Sequence, residues 1–309
     1  MRSFKIFALG GLLVIMLAGC FRVPAPPVDL ANSWGERQVF DYNGIKINYY
    51  VAGQGPPVIL LHGFGSGAYS WRYVAPALAA DHRVFALDLK GYGLSDKPDD
   101  GKYAISDQAD MVAAFIQTQD LHNLTIIGHS MGGGVTLMTY FKVRKSDPAR
   151  IKKMVLIDSA GYPQEMPWFI AFAQLPVVST VGPWIVSPRL TTIMALRKCY
   201  YYKDKITEDQ IDAYTYYGSL PGAREAVVAT AKEIAPDDIQ AVIARYKTIK
   251  VPVLIIWGED DEVVPLSVGK HFKRDIPDSE LVILPKCGHI PPEEEPQETT
   301  RLVKAFLRK

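Results

Sequence analysis

Residues 124–134 read Leu-Thr-Ile-Ile-Gly-His-Ser-Met-Gly-Gly-Gly, and this stretch decides the fold. Leu124 to Ile127 form a short apolar run with the composition of a strand. The run breaks into Gly128-His129-Ser130-Met131-Gly132, after which Gly133 to Val143 predicts a helix. A serine held this tightly between strand and helix reads as a nucleophile elbow, a turn that lifts Oγ clear of a buried strand on a strained backbone. Only glycine at 128 and 132 leaves room for the turn to approach the neighbouring strand and helix. The helix that follows directs its N-terminal N–H groups back towards Ser130.

Outward from the elbow, strands and helices alternate. Upstream lie two strands over 37–52 around Asn43-Gly44, a continuous apolar strand Pro57 to His62, a helix over 71–79, a strand over 83–89 and a helix over 106–119. Downstream, Ile151 to Ile157 is another apolar strand ending at Asp158. The pattern returns with a strand over 251–257, a helix over 267–275, a strand over 280–284 and a last helix starting near Pro292. Such alternation predicts a doubly wound α/β sheet. Between Gly161 and Ala235 it stops, and the segment carries Tyr162, Trp168, Phe169, Phe172, Trp184, Tyr200 to Tyr202, Tyr214, Tyr216 and Tyr217. This predicts a helical cap over 161–235, cut into short pieces in its first part by Pro163, Pro167, Pro176, Pro183 and Pro188 and walling an apolar pocket. The core is then 37–160 together with 236–309.

The N-terminus is of another kind. Arg2 and Lys5 precede an apolar run from Ile6 to Ala18, shorter than the ~20 residues of a spanning helix. Residues 1–19 read as a signal peptide. Leu17-Ala18-Gly19-Cys20 resembles the lipobox of bacterial lipoproteins, which implies lipidation of Cys20; an ordinary cleaved signal or an uncleaved anchor are the alternatives. Residues 20–36, with Pro24, Pro26 and Pro27, read as a tether reaching on the order of 50 Å. The expected location is a bacterial cell envelope, lipid-anchored to a membrane, the outer one where the cell has one because Phe21 is not aspartate. Whether Cys199 and Cys287 pair is left open. A net charge of +1 carries no polyanion-binding signature, so no nucleic-acid partner is expected.

An acyl-transfer serine needs a base, a carboxylate to orient it, and donors for the oxyanion. Ser130 is followed in the chain by Asp261, after the strand before last, and by His289, after the last strand. Asp260 and Asp158 are alternative acids. His82, His122 and His271 sit in polar surroundings, and His62 and His129 belong to loops whose role is backbone shaping. Asp88 reads as a loop-fixing acceptor. Glycines in His62-Gly63-Phe64-Gly65, just after a strand, free N–H groups to face a ligand.

Over about residues 39–309 the chain resembles the α/β-hydrolase fold in its capped serine esterase and lipase-like branch. The resemblance rests on His62-Gly63-Phe64-Gly65, Gly128-His129-Ser130-Met131-Gly132, Trp257-Gly258-Glu259-Asp260-Asp261 with Pro265, and Gly288-His289, in the family's order. Serine at the elbow separates it from the similar epoxide hydrolases and haloalkane dehalogenases, which carry aspartate there. Lys90 departs from the family's usual loop. The resemblance implies a mostly parallel eight-stranded sheet with the cap inserted after the sixth strand. It implies Ser130 as nucleophile, His289 as base, Asp261 as its partner, and an oxyanion hole of the Phe64 and Met131 N–H groups. No metal cluster or dinucleotide fingerprint is present, so no cofactor is inferred. The expected activity is hydrolysis of apolar, lipid-like carboxylic esters through an acyl-enzyme. Alternatives are a carbon–carbon bond hydrolase, with Arg189, Arg197 and Arg224 as possible substrate anchors, a cofactor-free haloperoxidase-like enzyme, and a non-catalytic binding lipoprotein.

Overall fold

A computed structural model describes residues 33–165, 187–234 and 238–309. The leader, Cys20 and most of the tether lie outside these residues, as do Trp168, Phe169, Phe172 and Trp184 of the cap. Eight strands form one sheet: β1 (Glu36–Tyr42), β2 (Ile45–Ala52), β3 (Pro57–Leu61), β4 (Arg83–Leu87), β5 (Leu124–His129), β6 (Ile151–Ile157), β7 (Val253–Gly258) and β8 (Ser279–Leu284). Their spatial order is β1-β2-β4-β3-β5-β6-β7-β8. β2 runs antiparallel to both β1 and β4, and every pairing from β4 to β8 is parallel. β5, the elbow strand, is therefore central and buried along its whole length.

The helices are α1 (Ala75–Leu78), α2 (Ile105–Thr118), α3 (Met131–Ser146), α4 (Pro188–Cys199), α5 (Glu208–Gly218), α6 (Ala223–Glu233), α7 (Ile239–Tyr246), α8 (Leu266–Asp275), α9 (Pro291–Glu294) and α10 (Pro296–Arg308). Successive strand residues point to opposite faces. On one face Ile59, Leu61, Ile126, Leu156 and Ile255 pack with Val112, Phe115, Val135 and Phe272 from α2, α3 and α8. On the other, Val58, Leu60, Ile127, Val155 and Ile256 pack with Trp71, Leu78, Val303 and Phe306. Two apolar faces, each covered by helices, make the arrangement doubly wound.

Two elements differ from their expected form, and proline explains both. The helix expected over 71–79 is a 3-10 turn, Ala68–Trp71, followed by the single turn α1. Pro76 has no N–H to offer the Arg72 carbonyl, so a continuous helix cannot cross this point. The C-terminal helix breaks at Glu295, where Pro296 starts α10. Among the described residues, α4 to α7 lie between β6 and β7. α5 begins where the Thr207 hydroxyl accepts the Gln210 N–H (3.2 Å), with Glu208 and Asp209 in its first turn.

Candidate active site

The elbow has the strain its sequence implies. Ser130 has φ +52° and ψ −121°, in a region that side chains other than glycine avoid, directly before the first residue of α3. Its flanking glycines are required by contact. A Cβ on Gly128 would lie 2.3 Å from the Gly132 carbonyl oxygen, and one on Gly132 would lie 2.3 Å from that of Leu61. The turn is thus wedged between its own helix and strand β3.

The Ser130 hydroxyl donates to His289 Nε2 (2.9 Å), and His289 Nδ1–H donates to Asp261 Oδ2 (2.7 Å). The second Asp261 oxygen accepts the Val263 and Val264 N–H groups (2.7 and 2.9 Å), so this buried carboxylate is fixed from both sides. Of the alternative acids, Asp260 is exposed, whereas Asp158 is buried beside Asp261. The Asp158, Asp261 and His289 donor atoms lie within 4.8 Å of one another. This is the spacing of a cation site, but His289 Nδ1 is already committed to Asp261 by a hydrogen bond.

Phe64 and Met131 both line the cavity that Ser130 borders. Met131 is the first residue of α3, whose leading N–H groups have no intrahelical acceptor. Among the described residues neither the Phe64 nor the Met131 N–H has a partner.

Two cavities meet at the serine, sharing Phe64, Ser130 and Val263. The first, about 270 Å³, is walled by Ile105, Leu137, Met138, Ile239, Val242 and Tyr246. The second, about 320 Å³, runs beneath α4, α5 and α6 between apolar Leu196, Val227 and Val228 and polar Ser66, Tyr214, Thr215 and Arg224. Of the three arginines considered as anchors, Arg189 pairs with Glu208 and Asp212 at the surface and Arg197 is exposed. Only Arg224 borders a cavity.

The sequence profile of the alpha/beta hydrolase family matches residues 58–302. The chain belongs to that family. Among curated relatives, an uncharacterized hydrolase of Bacillus subtilis strain 168, YugF, is 29% identical over 275 residues, spanning 87% of this chain and 97% of the relative. The 2-hydroxymuconate semialdehyde hydrolase of Pseudomonas sp. strain CF600 is 26% identical over 271 residues, 85% of this chain and 91% of that one. Among solved structures, a serine hydrolase involved in carbazole degradation superposes with a TM-score of 0.73 at 28% identity, covering 88% of this chain and 98% of its own. A bromoperoxidase from Bacillus anthracis shares the fold, with a TM-score of 0.75 at 22% identity over 88% of this chain and all of its own.

In this alpha/beta hydrolase the loop carrying His289 is held by groups that sequence reading passed over. The His129 imidazole does more than shape a turn: its Nε2–H donates to the His289 carbonyl (2.7 Å). Burial, then the neighbouring His289, lowers its pKa to about 3, so His129 stays neutral and adds no charge beside the relay. His62 is neutral too, its pKa lowered by burial. Its Nε2 accepts the Leu89 N–H (3.0 Å), which puts the ring proton on Nδ1, facing the Gly63 carbonyl (2.8 Å). The loop after β3 is thereby tied to the loop after β4.

Glu293 and Glu294 lie in the first turn of α9, where a helix N-terminus already favours acidic side chains. The structure buries both and gives them another task. Glu294 accepts N–H bonds from Gly288 (2.7 Å), Tyr201 (3.1 Å) and Tyr202 (2.7 Å). Glu293 takes Tyr214 OH (2.6 Å), Gln210 Nε2 (2.8 Å) and the Arg72 guanidinium. The His289 N–H donates to the Cys199 carbonyl at the end of α4 (2.6 Å). α4 and α5 are thus fastened to the histidine loop. Cys199 and Cys287 are free thiols.

Asp88 is the loop-fixing acceptor expected of it, taking Ala68 N–H, Leu94 N–H and Asn48 Nδ2–H (2.6, 2.9 and 2.8 Å). Lys90, expected to make that loop's surface unusual, is instead buried and paired with Asp100 (2.9 Å).

Proposed function

We propose that the protein hydrolyses carboxylic esters of apolar acyl chains, with Ser130 as nucleophile, His289 as base and Asp261 as its orienting carboxylate. The observation that carries the reading is the first cavity, an apolar chamber of about 270 Å³ bordering Ser130 itself. A chain seated there gains ~0.8 kcal/mol for each methylene fully buried. Ser130 Oγ attacks the ester carbonyl as its proton passes to His289 Nε2, and the imidazolium formed is stabilised by Asp261. The Met131 and Phe64 N–H groups take the tetrahedral oxyanion, each worth ~3 kcal/mol in the transition state. His289 then protonates the departing alkoxide, leaving an acyl-serine. Water, deprotonated by the same imidazole, attacks that ester and releases the acid.

A carbon–carbon bond hydrolysis is the second reading. Arg224 on the second cavity would suit a substrate carboxylate, and a relative at 26% identity carries the name 2-hydroxymuconate semialdehyde hydrolase. The neutral, apolar first cavity is the larger argument for esters. For location, Leu17-Ala18-Gly19-Cys20 supports a lipid anchor on Cys20 that holds the enzyme at a membrane of the cell envelope.

Ser130→Ala tests the chemistry common to both readings. It should abolish labelling by a fluorophosphonate and all turnover while leaving thermal unfolding nearly unchanged. Labelling at the wild-type rate would end the proposal.

A further inference from the structure

Behind the Ser130–His289–Asp261 chain lies a second carboxyl group. Asp158 directly follows β6, with φ +41° and no solvent exposure. Its Oδ1 accepts the Gly258 N–H (2.9 Å), which ties it to the end of β7. Its Oδ2 is shut away from solvent with no conventional partner among the described residues, while a carboxylate oxygen of Asp158 lies within 4.8 Å of one of Asp261. Two buried carboxyl groups meet here.

Both cannot be ionised. Two negative charges held this close repel strongly where water is excluded, and burial adds a desolvation cost for each. The hydrogen-bond count decides which keeps the proton. Asp261 accepts three N–H groups, from His289, Val263 and Val264, whereas Asp158 accepts one. Donors stabilise the charged form, so the charge sits on Asp261. A proton on Asp158 also supplies the bond that the orphaned oxygen lacks.

We propose that Asp158 is a positioning residue, a neutral carboxylic acid whose O–H donates to Asp261 and holds that carboxylate in place for His289. Burial, then the Asp261 charge, raises the Asp158 pKa well above the ordinary carboxylate range, in agreement with this geometry. The other titratable groups bearing on it are His289, with a ring nitrogen within 4.8 Å, Glu294, which raises it further, and the buried Cys287 thiol, itself raised by burial and therefore neutral. The role in positioning rests on the reading of Ser130 as nucleophile; the placement of the proton does not.

The test uses the full chain and two readouts. Infrared spectra in heavy water at pH 7 should show the C=O stretch of a neutral carboxylic acid in the wild type and lose it in Asp158→Asn. Its absence from the wild type would overturn the proposal. Fluorophosphonate labelling rates across pH then report on His289. Asparagine still accepts from Gly258 and donates to Asp261, so Asp158→Asn should label within about threefold of wild type, with its acidic limb unmoved. Asp158→Ala, which removes the donor, should label roughly tenfold more slowly, the worth of one hydrogen bond to a charged group. If Asp158 were ionised, its removal would take negative charge from beside His289 and move the limb to lower pH by about a unit. Such a shift in Asp158→Asn, or a rate as low as that of Asp158→Ala, would refute the idea. Should the alanine variant fail to fold, the spectrum and the asparagine profile still decide. A wild type that does not label would refute the nucleophile reading, and the infrared band would still answer for the proton.

Discussion

Replacing Glu294 by glutamine should loosen the histidine loop and the cap together, because one buried carboxylate holds both. Its Oε2 accepts the Gly288 and Tyr201 N–H groups and its Oε1 the Tyr202 N–H. Glutamine fits the space but has a single acceptor oxygen. In its better orientation it keeps Gly288 and Tyr201 and sets its amide against the Tyr202 N–H, donor to donor, an unmade buried bond costing ~1–3 kcal/mol. The two surviving bonds lose their charge assistance, together ~1 kcal/mol. The sum is about 2–4 kcal/mol, which for a chain of this size lowers Tm by roughly 3–6 °C. Because Gly288 precedes His289, the fluorophosphonate labelling rate should fall as well. Thermal unfolding and labelling are the two assays. An unchanged Tm with an unchanged labelling rate would show that Glu294 fastens nothing, and the coupling between cap and histidine loop would have to be abandoned.

Two further outcomes are expected. His129 is buried with its pKa at about 3, against an ordinary 6.5, so between those values the unfolded chain takes up a proton that the folded one refuses. Its contribution to stability is therefore whole above pH 6.5 and is lost as pH falls towards 3; against His129→Gln, the wild type should show an extra slope of up to ~1.4 kcal/mol per pH unit in that window, measured by urea unfolding, and equal slopes would contradict the neutral assignment. Cys20→Ser should move active enzyme from the membrane fraction to the soluble one, and a wild type that carries intact Met1 to Gly19 by mass spectrometry would refute lipidation.

Much of the architecture was legible because it is written in local pattern. The largely apolar β3, β5 and β7 announce a sheet covered on both faces, and Gly128 and Gly132 announce the close packing of the elbow. Ser130, Asp261 and His289 could be read because each follows a strand that delivers it to the same edge of the sheet. What escaped were contacts between distant segments. Glu294 reaches Tyr201 and Tyr202 across more than ninety residues, and an acidic run before a helix has an ordinary local explanation that conceals this. His129 was masked by its place within the elbow, where every residue already seemed accounted for. Asp158 stood among the alternative acids, but only packing shows it buried within 4.8 Å of Asp261 with a single N–H donor among the described residues. The break at Pro76 was open to inspection, since a proline inside a predicted helix always calls for one.

The most direct measurement of the central claim is turnover of a chain-length series of p-nitrophenyl esters beside that of a meta-cleavage dienoate, with Ser130→Ala as the control. The apolar cavity predicts catalytic efficiency that rises about threefold to fourfold with each methylene until the chamber is full and then falls, with the dienoate a poor substrate. Rapid dienoate cleavage with negligible hydrolysis at every ester length would contradict the account and give the site to carbon–carbon bond hydrolysis.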